Sequence, residues 1–414
     1  MVHRKNTQLN KKSFINTSIL QIMSVSSVCK IRLEGIAPGG DAIGRIEGKP
    51  IFVEGGAPDE TVLCRITEDH NTWARAVILE IIEASAVRAD SVCAFYAKCG
   101  GCNLAHIDYN AQLDIKASIL KESFLRFGGF EPQKIEVFPS QPFKYRNRMQ
   151  FHCLRQKAKG DNYGFGLKGR SGNEIVEIND CPIAVPKIRE LLKSPKDITL
   201  PVEKDRFTIF AKDDVLLSEG AQARGKIKIL DKEITADAGL FFQSNCSMLE
   251  KLILELKRII EDTKTYAINR VLPMADLYCG VGTFALFLGE IFPKVILAEE
   301  NKSSVSLARE NLRSINAEFF ALRDSEWQKT LPRSAGEYSF AVIDPPRAGL
   351  NNKLAHFLAK DGPAVIAYVS CDAAALARDS KILINGGYKL KELKLFDFYP
   401  QTAHIESLAV FVKN

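Results

Sequence analysis

The sequence lacks any apolar run that approaches the roughly 20 residues a membrane-spanning helix needs, so it gives no sign of a membrane protein. It also lacks a recognisable export signal. The apolar part of residues 1–27 is interrupted by polar residues such as Asn16 and Gln21, and no small-residue cleavage site follows. We therefore predict a flexible N-terminal tail over residues 1–27, with Met23 as an alternative start, and a cytoplasmic protein.

Internal repeats and low-complexity segments are absent as well. The chain has 414 residues, of which 46% are hydrophobic and 26% charged, and this composition is that of an ordinary globular protein with about three domains. The net charge of +6 favours a polyanionic partner, although many soluble proteins carry such a charge without binding nucleic acid. No obligate protein partner is evident.

Ten cysteines in a chain without an export signal are expected to be reduced thiols. Cys93, Cys99 and Cys102 lie close together in CAFYAKCGGC, so they are predicted to bind a metal or take part in chemistry rather than to form disulfides. Cys181, in INDCPIA, is the predicted fourth ligand. By spacing alone, four thiolates suit zinc and an iron–sulfur cluster equally. The C-x5-C-x2-C spacing differs from that of radical methyltransferases, and radical chemistry is not predicted.

The chain divides into segments of different character. Residues 28–87 alternate apolar and polar positions with glycines at turn-like intervals, which predicts a small β-barrel of the OB type. Residues 88–235 carry the cysteines, a helical pattern and further strands, which predicts a central α+β domain. Residues 236–414 alternate short, nearly continuous apolar runs with helical patterns, which predicts a doubly wound α/β domain with parallel strands.

Two glycine motifs are candidates for a nucleotide-type binding loop. GFGLKG, residues 164–169, matches a dinucleotide fingerprint, but no buried strand precedes it and no helix follows, so a hairpin is predicted. ADLYCGVGTFAL, residues 275–286, follows an apolar strand and opens a helix. There Gly280 and Gly282 allow the backbone to approach a ligand, and Glu299 at the end of the next strand can accept hydrogen bonds from ribose hydroxyls. The single tight loop without a phosphate-binding lysine favours S-adenosylmethionine over a pyrophosphate, whereas the alternative is a purely structural turn.

Two further strand ends carry candidate reactive groups. FAVIDPPRAGL places Asp344 at the ligand-binding edge of the predicted sheet, and Arg347 stands where amino-group methyltransferases usually have an aromatic residue, which argues against an amino-group target. AYVSCDAAALARD places Cys371 at the same edge as a candidate nucleophile. A free cysteine is more commonly a small buried hydrophobe, and Cys279 within the glycine loop is a rival.

A thiolate beside a methyl donor suits one reaction in particular. Carbon 5 of uracil is a weak nucleophile until a thiolate adds to carbon 6, after which carbon 5 can attack a sulfonium methyl group. A base must then remove the proton from carbon 5 so that the cysteine can leave. FDFYPQTAHIESLAVFV supplies Glu406 and His404 as candidates, although both are also ordinary loop residues.

These motifs together resemble the uracil-5-methyltransferases of ribosomal and transfer RNA. The resemblance runs from about residue 28 to the end and rests on DLYCGVGTF, LFFQSN, DPPRAG, SCD and YPQTAHIE. It implies a Rossmann-like class I methyltransferase domain, an N-terminal TRAM barrel that grips RNA, Cys371 as nucleophile and Glu406 as proton-abstracting base. The residues that it implies around S-adenosylmethionine are Gln243, Tyr278, Thr283, Glu299, Asp324 and Asp344.

Details of the resemblance refine these expectations. C-x5-C-G-G-C with a distant cysteine before proline is similar to the ribosomal RNA branch of the family, and this implies a [4Fe–4S] cluster on Cys93, Cys99, Cys102 and Cys181 that shapes an RNA surface. The family has Asn after the nucleophile, whereas this chain has Asp372. A carboxylate there is predicted to raise the pKa of the Cys371 thiol if it faces the sulfur.

RNA contacts are predicted in KYRNRMQFHCLRQKAKG, residues 144–160, where Tyr145 and Phe151 would stack on bases between basic side chains, the alternative being a solvated strand face. The target uridine must be flipped out or already unpaired. The sequence thus predicts a uracil-5-methyltransferase of RNA, with 23S ribosomal RNA as the expected substrate. The alternatives are a transfer-RNA enzyme with the same cluster, and a non-catalytic RNA-binding or assembly factor whose thiol Asp372 has silenced.

Overall fold

The structure is a computed structural model that describes residues 26–154, 164–170, 172, 174–194, 204–332 and 337–413. Apart from Ser26 and Ser27, the predicted tail lies outside the described residues. No helix in these ranges combines the length and the apolar character that crossing a membrane requires.

The first strands close into a barrel, as the alternating sequence predicts. In the first strand Ile31 and Leu33 point inward and are buried, whereas Lys30 and Arg32 between them are exposed. The strands pair in the order β1-β2-β3-β5-β4, and β4 closes the barrel on β1. Their bounds are β1 (Val28–Ile36), β2 (Ala42–Ile46), β3 (Lys49–Glu54), β4 (Thr61–Asp69) and β5 (Ala74–Glu83).

The central part combines a long helix with an antiparallel sheet. The helix begins at its cap Asp108, whose side chain accepts from the Asn110 N–H at 2.9 Å. The GFGLKG motif lies on a strand, β8, that pairs antiparallel with both neighbours, so it opens no helix. The elements are α1 (Tyr109–Ser123), β6 (Glu136–Phe138), β7 (Arg148–Leu154), β8 (Gly164–Lys168), β9 (Ile175–Val176), α2 (Pro186–Lys193), β10 (Arg206–Lys212), β11 (Val215–Ser218), β12 (Arg224–Ile229) and β13 (Lys232–Asp237).

The remaining elements build a sheet in the order β16-β15-β14-β17-β18-β20-β19-β6. Within it β20 runs antiparallel to β18 and β19, and β6 joins its edge from the central part of the chain. The elements are α3 (Cys246–Glu261), α4 (Thr263–Tyr266), β14 (Met274–Leu277), α5 (Thr283–Leu288), β15 (Val295–Glu299), α6 (Lys302–Asn311), β16 (Ala317–Ala321), β17 (Phe340–Ile343), α7 (Asn352–Asp361), β18 (Val365–Ser370), α8 (Ala373–Asn385), β19 (Tyr388–Phe396) and β20 (Glu406–Lys413).

The continuous apolar runs form the middle of this sheet because helices cover both of its faces. Every residue of β14, β17 and β18 is buried. The carboxyl ends of these parallel strands meet at one edge, where open α/β sheets bind ligands. This arrangement confirms the predicted class I methyltransferase fold.

Helix α1 fixes the segment that leads into β20. The buried Lys116 ammonium lies 2.5 Å from a carboxylate oxygen of the buried Asp397. The Gln112 side chain accepts from the Gln401 backbone N–H at 2.8 Å and donates to the Gln401 side-chain oxygen at 3.1 Å. The loop between β19 and β20 is thereby held against the central part of the chain, just before Glu406.

Candidate active site

Polar side chains at the carboxyl ends of β14, β15, β17 and β18 surround a cavity of about 840 Å³. The loop before α3 and the first residue of β20 complete its wall. Predicted site residues that are far apart in the sequence therefore lie around a single cavity. Those that line the cavity are Gln243, Tyr278, Gly280, Glu299, Asp324, Asp344, Cys371 and Glu406.

The glycine loop has a conformation that its sequence makes accessible. Gly280 and Gly282 have φ values of 53° and 82°, which glycine adopts without a steric penalty. The Glu299 carboxylate accepts from the Gly280 N–H at 3.2 Å and from the Asn301 N–H at 2.8 Å. Asp276 accepts from the Ala285 N–H at 2.9 Å and so ties β14 to the first turn of α5.

Gly282 and Thr283 do not line the cavity, although both were predicted to contact the cofactor. Gly282 instead precedes α5, where a Cβ atom would come within 3.0 Å of Leu312 and 3.2 Å of Ala308. The close packing of this turn against α6 therefore favours glycine at position 282. Thr283 begins α5 and belongs to the same turn. The sequence motif spans the whole loop, whereas only the part around Tyr278 and Gly280 faces the cavity.

Tyr278, Trp327 and Asp324 form an aromatic and acidic wall on one side of the cavity. The Tyr278 hydroxyl donates to Asp324 at 3.1 Å, and its ring meets Trp327 edge-on with centroids 4.5 Å apart. Trp327 was not predicted. Its own N–H donates to the Leu322 carbonyl at 2.7 Å, so it is a fixed support for Tyr278.

A second acidic group faces the cavity from β17. Burial raises the pKa of Asp344 to about 7, while a hydrogen bond from the Gln243 amide at 3.4 Å opposes this shift. The Gln243 Oε1 atom is buried and has no hydrogen-bond partner among the described residues. An orphaned buried acceptor of this kind indicates that a ligand completes the site.

Cys371 and Glu406 come together because their strands are neighbours. Ser370 on β18 pairs with Ser407 on β20, so the residue after the one strand lies opposite the residue that opens the other. Burial, together with the Glu406 and Asp344 carboxylates, raises the pKa of the Cys371 thiol to about 12, and Arg347 opposes this shift. The thiol is therefore protonated in the resting protein.

Glu406 is only 3% exposed, and its Oε1 atom lacks a hydrogen-bond partner among the described residues. Burial raises the pKa of this carboxyl group well above its ordinary value, and the nearby Asp344 adds to the shift. A buried carboxylate with a raised pKa is a stronger base than an exposed one. The geometry thus brings a thiol and a strong potential base to the same wall.

His404 lines the same cavity, with Arg347 and Tyr399 nearby. Burial lowers the pKa of His404 to about 4, and the positive charges of Arg347 and Arg146 contribute. The imidazole is therefore neutral near pH 7. It stays a second candidate for proton transfer.

Asp372 has a role other than the one predicted. Its side chain accepts from the Ala375 N–H at 2.8 Å and caps the N-terminus of α8. The charges that raise the pKa of the Cys371 thiol come from Glu406 and Asp344 instead. Asn and Asp are comparable N-cap residues, so the exchange of one for the other preserves the cap. The idea that Asp372 silences the thiol loses its physical basis.

Cys279, the rival thiol, is buried within the glycine loop and does not line the cavity. Its sulfur lies 3.8 Å from the Gly280 carbonyl oxygen. Burial raises the pKa of this thiol well above its ordinary value. It packs beneath the loop, as predicted.

The four cysteines of the predicted metal site also converge. Cys93, Cys99, Cys102 and Cys181 line a cavity of about 260 Å³, and burial raises the pKa of Cys102 to about 12 and that of Cys181 to about 11. In the part of the chain that the structure covers, however, no group of three or more His, Cys, Asp or Glu side chains has the close approach that holds a metal ion. The structure confirms the neighbourhood of the thiols but not a metal centre.

The prediction that aromatic residues of the segment 144–160 stack on RNA bases is wrong. Tyr145 and Phe151 are 3% and 0% exposed, so neither can stack on a base. The Tyr145 hydroxyl donates to the Pro400 carbonyl at 2.9 Å, and Phe151 packs against Phe165 and Phe207. Strand periodicity accounts for Phe151, which lies on β7, whereas Tyr145 precedes that strand and is held by its hydrogen bond. Arg155, Lys157 and Lys159 of the same segment lie outside the described residues.

A different aromatic residue has the required exposure. Phe241 lines the mouth of the large cavity and is 60% exposed. It stands two positions before Gln243, which also lines the cavity. That spacing of two in LFFQSN was the signal that sequence reasoning missed.

Comparison with known proteins gives concordant matches. The family model described as tRNA (Uracil-5-)-methyltransferase matches residues 216–414, and the TRAM domain model matches residues 25–79. An uncharacterized RNA methyltransferase of Treponema denticola is 33% identical over 400 residues, which cover 89% of this chain and 95% of that protein. The 23S rRNA (uracil(1939)-C(5))-methyltransferase of Pseudomonas fluorescens is 30% identical over 433 residues, which cover 92% of this chain and 93% of that protein.

A solved structure has the same fold. The tRNA (uracil-54, C5)-methyltransferase of Pyrococcus abyssi, in complex with S-adenosyl-L-homocysteine, superposes with a TM-score of 0.71 and 24% identity. The match covers 92% of this chain and 99% of that one. The barrel, the central part and the parallel sheet therefore occur together in a protein of almost the same extent.

Proposed function

The chain belongs to the RNA uracil-5-methyltransferase family, and from that premise we propose that it methylates carbon 5 of a uridine in 23S ribosomal RNA through a covalent bond to Cys371. One observation carries this proposal. A thiol and a buried, unpartnered carboxylate oxygen face each other across neighbouring strand ends, inside a cavity that also contains the glycine loop and its acidic partner.

S-adenosylmethionine supplies the methyl group. The residues around the cavity fit it, since Glu299 and Asp324 offer carboxylate oxygens for hydroxyl and amino groups and Asp344 offers a negative charge for a cationic donor. Gly280 leaves the backbone open to close approach. We assign the hold on this cofactor to Gln243, Tyr278, Gly280, Glu299, Asp324 and Asp344.

The other steps take place between the uracil and two residues of the chain, Cys371 and Glu406. The Cys371 thiol releases its proton to water in the cavity, and its sulfur forms a bond to carbon 6 of the flipped uracil. The electron pair of the carbon 5–carbon 6 double bond then forms the bond from carbon 5 to the methyl group, while the bond between this methyl group and the sulfonium sulfur breaks and leaves its electron pair on that sulfur. Glu406 then removes the proton from carbon 5, the double bond re-forms, and the sulfur–carbon bond breaks to release Cys371.

The choice of 23S ribosomal RNA rests on what several relatives are named for. The matching proteins of Pseudomonas fluorescens and Psychromonas ingrahamii are 23S rRNA (uracil(1939)-C(5))-methyltransferases, and each covers more than nine tenths of this chain. The solved structure of similar fold is named for transfer RNA, so transfer RNA is the alternative substrate. The barrel would grip RNA beside the target.

Methyl transfer to separated RNA pools tests this choice. Unmodified 23S ribosomal RNA, 16S ribosomal RNA and transfer RNA are incubated with the protein and methyl-labelled S-adenosylmethionine. We expect label only in the 23S pool, as 5-methyluridine after digestion. Label in transfer RNA would support the alternative, and no label in any pool would contradict the enzymatic proposal.

We further propose that Cys93, Cys99, Cys102 and Cys181 hold a [4Fe–4S] cluster. These thiols line one cavity and are partly or fully buried, and their soft sulfur donors suit iron–sulfur ligation. The group would tie residues 93–102 to the strand region near Cys181. Arg146 lines both this cavity and the catalytic one, so a cluster that fixes this region would also help to position Arg146 in the catalytic cavity.

Anaerobic purification tests the cluster. We expect a brown protein with broad visible absorbance and with iron and sulfide in equal amounts, because a four-iron cluster contains both. Cys181→Ser should lose most of the iron, whereas Cys153→Ser, which alters a cysteine outside this cavity, should keep it. A colourless protein with stoichiometric zinc would show that the thiols bind a different metal.

A further inference from the structure

A second polar cavity, of about 500 Å³, is lined by residues that neighbour those of the catalytic cavity along the chain. Four lysines line it, and we call it the lysine cavity. Its charged lining residues are Lys144, Lys187, Lys212, Lys251 and Asp213. The positive charges outnumber the negative one.

The two cavities share a wall made of two chain segments. Gln243 and Ser244 line the catalytic cavity, whereas Cys246 and Ser247 line the lysine cavity. One segment is residues 144–147 and the other is residues 243–247. The Asn147 N–H donates to the Ser244 carbonyl at 2.7 Å and joins the two segments. The two cavities are therefore lined by neighbouring residues of the same two chain segments.

Two of the four lysines are already engaged. Lys212 lies 3.5 Å from carboxylate oxygens of both Asp213 and Glu250, and Lys251 donates to the Pro139 carbonyl at 2.7 Å. Lys144 and Lys187 form no ion pair or side-chain hydrogen bond with any residue that the structure describes. Two ammonium groups thus stand at the cavity without an anion.

The backbone at Lys144 is held in a conformation that is uncommon for a residue with a side chain. Its φ is 56°, in the left-handed region. Hydrogen bonds from the Lys144 N–H to Pro182 at 3.0 Å and from the Tyr145 N–H to Ile183 at 2.9 Å keep it there. Such strain persists where the surrounding structure fixes it, often at ligand sites. It fixes the direction in which the Lys144 side chain leaves the backbone.

We propose that the lysine cavity binds the phosphodiester backbone of the substrate RNA beside the target uridine. Phosphate is the anion that unpaired lysines recognise on RNA. Helices α2 and α3 both begin at this cavity, with Pro186 and Cys246, and their N-terminal partial charges add to the attraction. The proposal rests on the proposed function for its ligand, an RNA that enters the neighbouring cavity.

The test compares Lys144→Gln/Lys187→Gln with the wild-type protein. The control is Lys389→Gln/Lys391→Gln, which removes the same charge from exposed positions on β19, at the end of the strand far from Glu406. The probe is a short transcribed fragment of 23S ribosomal RNA, chosen as the tightest-binding member of a tiled set. Affinity is measured at several salt concentrations, and thermal unfolding checks that each variant is folded.

We expect the lysine-cavity variant to bind the fragment about tenfold more weakly at low salt. The slope of log affinity against log salt should decrease by about 1 to 2, since each lost phosphate contact contributes about 0.7 to 0.9. The control should keep the wild-type slope, and S-adenosylmethionine affinity should not change in either variant. An unchanged slope in the cavity variant, or an equal decrease in the control, would overturn the proposal.

The outcome separates this proposal from the proposed function. If the wild-type protein methylates 23S ribosomal RNA while the cavity variant binds it normally, the lysine cavity is not a phosphate site and the enzymatic proposal stands. If the variant loses affinity but no RNA pool is methylated by the wild-type protein, the phosphate site stands and the enzymatic proposal fails.

Discussion

Replacing Cys371 with alanine should lower the rate of RNA methylation by at least about a thousandfold, the scale on which removal of a nucleophile acts. The reason is chemical: without a thiolate on carbon 6, carbon 5 of uracil is too weak a nucleophile to take the methyl group. Label incorporation into unmodified 23S ribosomal RNA under single-turnover conditions measures the loss.

The same variant should bind S-adenosylmethionine within about twofold of the wild-type affinity, a change of less than about 0.5 kcal/mol. Cys371 follows β18, whereas the glycine loop follows β14 and Glu299 is the last residue of β15, on another side of the cavity. Calorimetric titration with the cofactor measures this affinity. A large loss of binding would indicate that the substitution damages the cavity, and the rate would then not report on the nucleophile.

Cys279→Ala is the matched control, because it removes a thiol only a few residues from the cofactor. Its sulfur packs under the loop and does not line the cavity, so we expect activity to persist. Activity in Cys371→Ala together with inactivity in Cys279→Ala would show that the other sulfur is the nucleophile.

The sequence was most informative where periodicity and strand order decide the structure. Runs such as FAVID and AVIAYVSC predict buried parallel strands. The carboxyl ends of such strands share one edge, so the sequence alone places Asp344 and Cys371 at the same edge of the sheet. Glu406 was predicted from its motif. Its position opposite Cys371 depends on the antiparallel insertion of β20 between β18 and β19, which the local sequence does not encode.

Side-chain direction was the part that the sequence did not reveal. Tyr145 and Phe151 look like base-stacking residues between arginines, yet both are buried. Phe151 lies on β7, where alternate residues turn toward the covered face, whereas Tyr145 precedes β7 and is held by its hydrogen bond to the Pro400 carbonyl. Asp372 looked like a charge beside the sulfur, yet it caps α8. Each case depends on a local geometric choice that residue type alone leaves open.

The lysine cavity illustrates the same limit at longer range. Its lining comes from segments around residues 144, 187, 212 and 251, which no sequence motif connects. They are brought together by the pairing of β7 with β10, by the backbone hydrogen bonds of Lys144 and Tyr145 to Pro182 and Ile183, and by the hydrogen bonds of Asn147 with Ser244 and Cys246. A charge count for the whole chain could suggest a polyanionic partner but could not indicate where it binds.

The largest qualitative change is expected from Glu406→Gln. Glutamine keeps the shape of the side chain but cannot accept the proton from carbon 5, so the reaction should stop after methyl transfer. The neutral amide also removes one of the carboxylates that raise the pKa of the Cys371 thiol, so formation of the sulfur–carbon bond is not hindered. Methylated RNA should therefore stay covalently joined to Cys371.

A denaturing gel should show this protein–RNA adduct, and its formation should require both S-adenosylmethionine and Cys371, as the Cys371→Ala/Glu406→Gln double variant would check. His404→Gln is the companion variant, because the neutral imidazole of His404 lines the same cavity and can also accept a proton. We expect that variant to turn over without accumulating an adduct. Normal multiple turnover by Glu406→Gln, with an adduct in His404→Gln instead, would identify the imidazole as the base and leave the buried Glu406 carboxyl with an electrostatic role beside the thiol.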